Sequence, residues 1–238
     1  MAALSSAEPT TRPRAPLPAG RAGRPPDRAT SLAASLRGLA AQERRQSARL
    51  ARSAVDAVGY GALLLASMSV AADAYADAVS GGSGSINAPS TGPHTAMPSL
   101  SDLAALQSVV RQLHAVIYGY QLALGRLSAF TPKGRRALRT LAARRRLRDR
   151  LVESLVSRGA VVPAAAGAYV PPVQPTSAGR SATLIRRIEV AFQPYCGVWL
   201  ASAARVEDRR LALATLAGTV AEARSWGAAT GPWPGWRD

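Results

Sequence analysis

Apolar residues recur three and four apart along most of this chain, and glycine- or proline-rich breaks interrupt the pattern. That spacing is the signature of amphipathic helices. From Thr30 onward Leu32, Leu36, Leu39, Gln46, Leu50 and Ala54 hold an approximate helical phase, with Arg44, Arg45, Arg49 and Arg52 largely outside it. Gly59 and Gly61 interrupt the phase; Leu64, Leu65, Met68, Ala72 and Tyr75 resume it. The pattern predicts two helices, or one kinked helix, ending near Val79.

Four further helical segments follow a stretch rich in glycine, serine and proline. The first is announced by "SLSD", where Ser99 can cap and Asp102 stands three residues on. Its stripe is Leu103, Leu106, Val110, Leu113, Ile117, Tyr120, Leu124 and Leu127. The second runs from about Lys133 to Arg158 and stops at Gly159, a natural C-cap. Its apolar arc is read as Leu138, Leu141, Val152, Leu155 and Val156. The proline-rich "VVPAAAGAYVPPVQPTSAG" is too irregular for a helix and serves as a crossover. The third segment, Ser181 to about Ala204, carries Ile185, Ile188, Phe192, Tyr195 and Trp199, and Pro194 within it should kink or split it. The fourth spans about Glu207 to Trp226, with Leu213, Leu216 and Val220 inward, ahead of a tail reading "WGAATGPWPGWRD". Two antiparallel pairs joined by one long crossover form a helix bundle, and ferritin-like folds use that connectivity.

Composition agrees. Hydrophobic residues are 47% of 238, with aromatics only 5%, which favours close helix packing through small side chains over sheets. The predicted organisation is a disordered basic tail over 1–28, a helical extension over 29–79, a flexible linker over 80–98 and the bundle over 99–236. The tail repeats proline, glycine and arginine and cannot bury enough apolar surface to offset chain entropy. One of the chain's two histidines, His94, lies in the linker, where it is read as solvated and inert. The single cysteine excludes an internal disulfide. The most apolar run, "YGALLLASMSVAADAY", has about a dozen suitable residues against the ~20 of a membrane span and contains Gly61 and Asp73. No secretory leader is recognisable, so a cytoplasmic protein without a membrane span is expected.

The formal charge is +16, carried almost wholly by arginine. Such a balance can mark a polyanion partner, whose phosphates release counterions on binding. Its densest segment, "KGRRALRTLAARRRLRDR", offers Arg135, Arg136, Arg139, Arg144 and Arg146 as candidate contacts, and the N-terminal tail is a second basic element. Neither has interleaved aromatics on which bases could stack. The alternative for both is a solvated surface in an arginine-biased chain.

"LAALQSVVRQLHAVIYGYQLALGRL", "ARRRLRDRLVESLVSRGAVVPAAAGAYVPP", "LIRRIEVAFQPYCGVWLA" and "RSWGAATGPWPGW" together resemble the actinobacterial ferritin-like domain family of unknown function, over about 99–236. The most specific pieces are H-A-x-x-Y-G-Y, R-x-R-D-x-L and P-A-A-A-x-A-Y. The resemblance implies a four-helix fold and no known reaction. It also implies a glutamate before the first helix's histidine, where this chain has Leu113, and a histidine early in the second helix, where it has Arg144.

A di-iron bundle needs about four to six carboxylate and histidine ligands, typically with Glu-x-x-His on paired helices. His114, Asp149, Glu189 and Glu222 form no such pair, so no metal and no cofactor are expected, and His114 marks only a vestigial ligand position. Arg145, Arg148 and Asp149 fall within the arc read for the second helix. A charge inside a bundle must be paired or solvated, so Arg145 or Arg148 is expected to pair with Glu189 or Asp149 in the space a metal would fill. The other reading is that the helix is tilted and these arginines reach solvent. A catalytic triad is nearly closed to a chain with two histidines, and Cys196 reads as a small buried hydrophobe. There is no glycine-rich nucleotide motif. The expectation is an all-α, non-enzymatic, structural or protein-interacting module, with a protein partner or homo-oligomer. The alternatives are a basic nucleic-acid- or ribosome-associated factor and a degenerate metal-binding protein.

Overall fold

A computed structural model describes residues 28–82, 85 and 98–236. The sequence expectations for the N-terminal tail, most of the linker and His94 fall outside these residues. Among the described residues the chain is all-helical, with α1 (Arg28–Asp56), α2 (Gly59–Val79), α3 (Asp102–Leu124), α4 (Pro132–Ser157), α5 (Ala178–Ser202) and α6 (Val206–Ser225). The N-terminal region is two helices, separated where Gly59 adopts φ +62°, a conformation that costs glycine little.

The helix ends follow local chemistry, with one correction. The cap of α3 is Ser101, whose hydroxyl accepts from Ala104 N at 3.3 Å; Ser99 lies two residues too early. Thr131 caps α4 ahead of Pro132, and Ser177 caps α5. Gly159, at φ +66°, ends α4 as its position suggested. Pro194 does not split α5, which stays helical to Ser202. The amide hydrogen bond it forgoes would have gone to Val190, which sits on an exposed side where water can serve the carbonyl.

Four helices form the bundle. α3 packs on α4 and on α5, and α5 packs on α6. Arg158, which ends α4, bonds both Asp102 at the start of α3 and Asp208 at the start of α6. That places α4 antiparallel to α3 and to α6, so α5, antiparallel to α6, runs parallel to α4. The segment from Gly159 to Ser177 must therefore travel the length of the bundle, which is why it is long. The hairpin of α1 and α2 lies against α5 and α6. Asp77 of α2 receives Arg224 of α6 at 3.3 Å, and Arg209 donates to Val55 O at the end of α1 at 2.7 Å.

α2 is long and apolar enough to cross a membrane, with a mean hydropathy of 1.4, but 56% of that window is buried within the protein. Six of its alanines, Ala62, Ala66, Ala71, Ala72, Ala74 and Ala76, are buried. The C-terminal tail also packs inward: Ser67 donates to Pro234 O at 2.6 Å, and Trp236 stacks on Tyr60 with ring centroids 6.1 Å apart.

Candidate functional site

The centre of the bundle is polar, and each of its four helices contributes one side chain. α3 supplies Tyr120, α4 Arg144, α5 Glu189 and α6 Thr219, and all are buried. Glu189 is wholly enclosed and is gripped by the Arg144 fork: Nε donates to Oε1 at 3.2 Å and an Nη2 donates to Oε2. Tyr120 Oη donates to the same Oε1 at 2.8 Å, and Arg144 Nη2 also donates to Thr219 Oγ1 at 3.0 Å. The guanidinium lies over the Phe192 ring, 5.3 Å from its centroid, within cation–π range.

The expected inward charge pair exists, but its arginine is Arg144. Arg145 is exposed and Arg148 half-buried, and neither reaches Glu189. Arg148 instead donates to its exposed neighbour Asp149, at 2.9 and 2.6 Å. The phase of α4 explains the shift. Its inward face is Gly134, Ala137, Leu141, Arg144, Leu151 and Leu155, whereas Leu138 is 43% and Val156 63% exposed. Two leucine-sized residues on the wrong side rotated the sequence reading by one position. The interrupted ladder Ala137, Leu141, gap, Leu151, Leu155 was the signal that places Arg144 in the gap.

Among the candidate polyanion contacts the burial of Arg144 removes it. Arg135, Arg136, Arg139 and Arg146 are exposed. Of these, Arg135 bonds Phe130 O at 2.6 Å and Arg136 lies 4.0 Å from Glu222. Arg136–Glu222, Arg144–Thr219 and Arg158–Asp208 stand in antiparallel order, so arginines span the space between α4 and α6, whose backbones do not come close. Arg158 was missed by the sequence reading. Asp102 and Asp208 stand at helix starts, where an acid also favours the helix dipole, and their common partner depends on which helix starts meet.

His114 does not face the bundle centre. Its Nε2 lies 3.3 Å from Pro163 O, and because a carbonyl can only accept, this nitrogen carries the proton. Leu113 beside it is wholly buried core. The crossover is further tied to α3 by Gln107, which donates to Val161 O at 2.8 Å, and by the rings of Tyr118 and Tyr169, 5.5 Å apart.

Burial governs the chemistry of the centre. It drives Glu189 upward from the ordinary carboxylate range, against Arg144 and Tyr120, which favour its charged form. Burial opposes the charge on Arg144, but Glu189 outweighs it and holds the guanidinium protonated. Tyr120 is held neutral by burial and by the nearby carboxylates. Cys196 is fully enclosed, and burial pushes its thiol to about 12. An unfolded chain ionises a thiol near ~8.5 and a phenol near ~10, so between those values and the folded ones only the unfolded state sheds protons. Stability should therefore fall as pH rises above about 9, by up to about 1.4 kcal/mol per unit for each group. Urea titrations from pH 7 to 11 check this, and in Cys196→Ala the thiol's share of the slope should vanish.

A family model described as "Domain of unknown function (DUF4439)" matches residues 105–238. The chain belongs to this family. The crystal structure of a conserved hypothetical protein, rv2844, from Mycobacterium tuberculosis is 29% identical and matches 52% of this chain and 93% of that one, with a TM-score of 0.49. No curated protein matches the chain. The part matched by the DUF4439 model begins at Ala105, inside α3, and holds all four residues of the central network; the α1–α2 hairpin lies before it.

A di-metal centre of the kind that ferritin-like bundles hold does not fit the residues of this DUF4439 bundle. The one carboxylate at the centre, Glu189, is already saturated by Arg144 and Tyr120. A fixed guanidinium stands where a metal would need anionic donors. Among the described residues no group of three His, Cys, Asp or Glu side chains converges.

Proposed function

We propose that this chain is a ferritin-like bundle that works without a metal, as a structural or protein-interaction module of the cytoplasm and not as an enzyme. The observation that carries this reading is the bidentate Arg144–Glu189 pair at the centre, which supplies the counter-charge that a metal cation would otherwise supply and satisfies the carboxylate with hydrogen bonds in place of coordination. Arginine suits the place because its planar fork meets both carboxylate oxygens at once. At the centre Tyr120 and Cys196 are both held protonated at neutral pH, and both oxygens of Glu189 are engaged by Arg144 and Tyr120. Elemental analysis of protein purified from iron- and manganese-supplemented cells tests the reading. Less than about a tenth of an equivalent of either metal is expected, and one equivalent or more overturns it.

An interaction role is supported by the first turns of α1. Leu32, Leu36 and Leu39 form an exposed apolar stripe there. Solution mass by light scattering reads whether this stripe pairs two copies.

A second reading has its own observation. Arg139, Arg146 and Arg150 lie exposed along α4 with no carboxylate partner among the described residues, a cationic face suited to phosphates. Filter binding to bulk RNA across a salt series tests it: a steep loss of affinity with salt supports phosphate contact, and a flat response excludes it.

A further inference from the structure

The three sequence runs that carry the family resemblance are far apart in the chain, yet they meet around one cleft. H-A-x-x-Y-G-Y supplies His114, Ile117 and Tyr118; R-x-R-D-x-L supplies Arg148; P-A-A-A-x-A-Y supplies Ala165, Ala166 and Tyr169. Gln121 and Arg145 complete the lining, and the cleft holds about 520 Å³. That volume lies within the range of about 300–1,000 Å³ common for small-molecule sites.

The helical spacing explains the convergence. On α3, residues 114, 117, 118 and 121 share one face, and on α4 residues 145 and 148 share one face. These faces lie beside the inward ones, so the same rotation that removes Arg145 from the core turns it toward the crossover. The crossover closes the cleft as a thin roof. Its run from Ala164 to Ala168 carries nothing larger than a methyl group, so no side chain of its own fills the space beneath. Tyr169 fixes the roof by accepting a hydrogen bond from Ala166 N at 2.9 Å.

The electrostatics favour an anion. Arg145 and Arg148 are like charges on one face, an arrangement that is unfavourable alone. Asp149 neutralises Arg148, and Arg145 has no partner among the described residues. His114 spends its Nε2 proton on Pro163 O, and Tyr118 and Gln121 add further polar groups to the wall. Two tilted tyrosine rings, 46° apart, add apolar surface against which a planar group can pack.

We infer that this cleft between α3, α4 and the crossover binds a small aromatic anion, with Arg145 and Arg148 holding its phosphate or carboxylate and Tyr118 and Tyr169 packing on its ring. This site is separate from the central network and does not rest on the metal-free reading.

The test is a titration of the full chain with phenyl phosphate. It is followed by the ring-proton resonances of His114, one of only two histidines in the chain, with phenol and inorganic phosphate as parallel arms. The expected result is a saturable shift at His114, with phenyl phosphate at least about tenfold tighter than either fragment, as additive contacts require. Benzoate in place of phenyl phosphate separates the two anion types: equal binding assigns a carboxylate or phosphate alike, and tighter binding of one assigns that one. Arg145→Ala, an exposed site whose loss should leave the fold intact, is expected to weaken binding at least about tenfold. Arg139→Ala removes the same charge from the same helix outside the cleft and should change it less than about twofold. The inference is overturned by no shift at 10 mM ligand (about the weakest binding worth calling a site). It is equally overturned by inorganic phosphate binding as tightly, or by Arg139→Ala matching Arg145→Ala.

Discussion

Glu189→Gln should lower the stability of the fold by about 3–5 kcal/mol, because it leaves Arg144 buried without its counter-charge. The glutamine is nearly the same size, so little of that loss comes from packing. A chemical denaturation curve at pH 7 measures it, and a loss below about 0.5 kcal/mol would show that no buried pair contributes. The converse variant behaves differently with pH. In Arg144→Leu the carboxyl faces burial with no cation nearby, so its folded pKa, already raised with Arg144 present, rises further above the value of about 4.3 in an unfolded chain. A group so shifted is held more cheaply when protonated. Arg144→Leu should therefore gain stability as pH falls from 7 toward about 4.5, by about 1.4 kcal/mol per unit over the shifted range. Glu189→Gln has no such group and should show none of that gain. Combining Arg144→Met with Glu189→Leu should recover part of the loss, since removing both charges together avoids an uncompensated one.

Gly197→Ala should be the second severe change, at about 3 kcal/mol. Gly197 lies in the interior of α5, where glycine is ordinarily a poor choice. A Cβ there would stand 2.0 Å from Gly235 O and 2.8 Å from its carbonyl carbon, and backbone cannot swing aside as a long side chain can. Gly235 is itself held at φ +91° between Leu63 and Leu216, so the clash must push the tail off its seat. That would release Ser67 from Pro234 O and Trp236 from Tyr60. Tryptophan fluorescence should shift to the red as Trp236 meets water. Ending the chain at Thr230 should cost about as much, and adding Gly197→Ala to the shortened chain should then cost less than about 0.5 kcal/mol, because the two changes remove one contact.

Much of the bundle can be read along the chain. The stripe Leu106, Val110, Leu113, Ile117 and Tyr120 is buried as its period requires, and the ends of α4, α5 and α6 fall within a few residues of their predicted places. The candidate site was legible in kind, as a charged pair inside the bundle. Its arginine was misplaced by one position, since Leu138 and Val156 look like core and are not. A single helix's pattern cannot settle its rotation when apolar residues lie on both sides of the true face, because about 100° separates neighbouring positions.

By itself, then, the sequence determined an all-helical fold class, the approximate spans of the bundle helices, the stop of α4 at Gly159, and one crossover long enough to join parallel helices, because these depend on local spacing and backbone preference. Only the tertiary structure decided that Arg144 meets Glu189 45 residues away, that Arg158 joins two helix starts, and that Gly197 makes room for Gly235. It also decided that three separate motifs enclose one cleft. Such contacts depend on the relative rotation and approach of whole helices, which is fixed by all packed faces together and by no single stretch of chain.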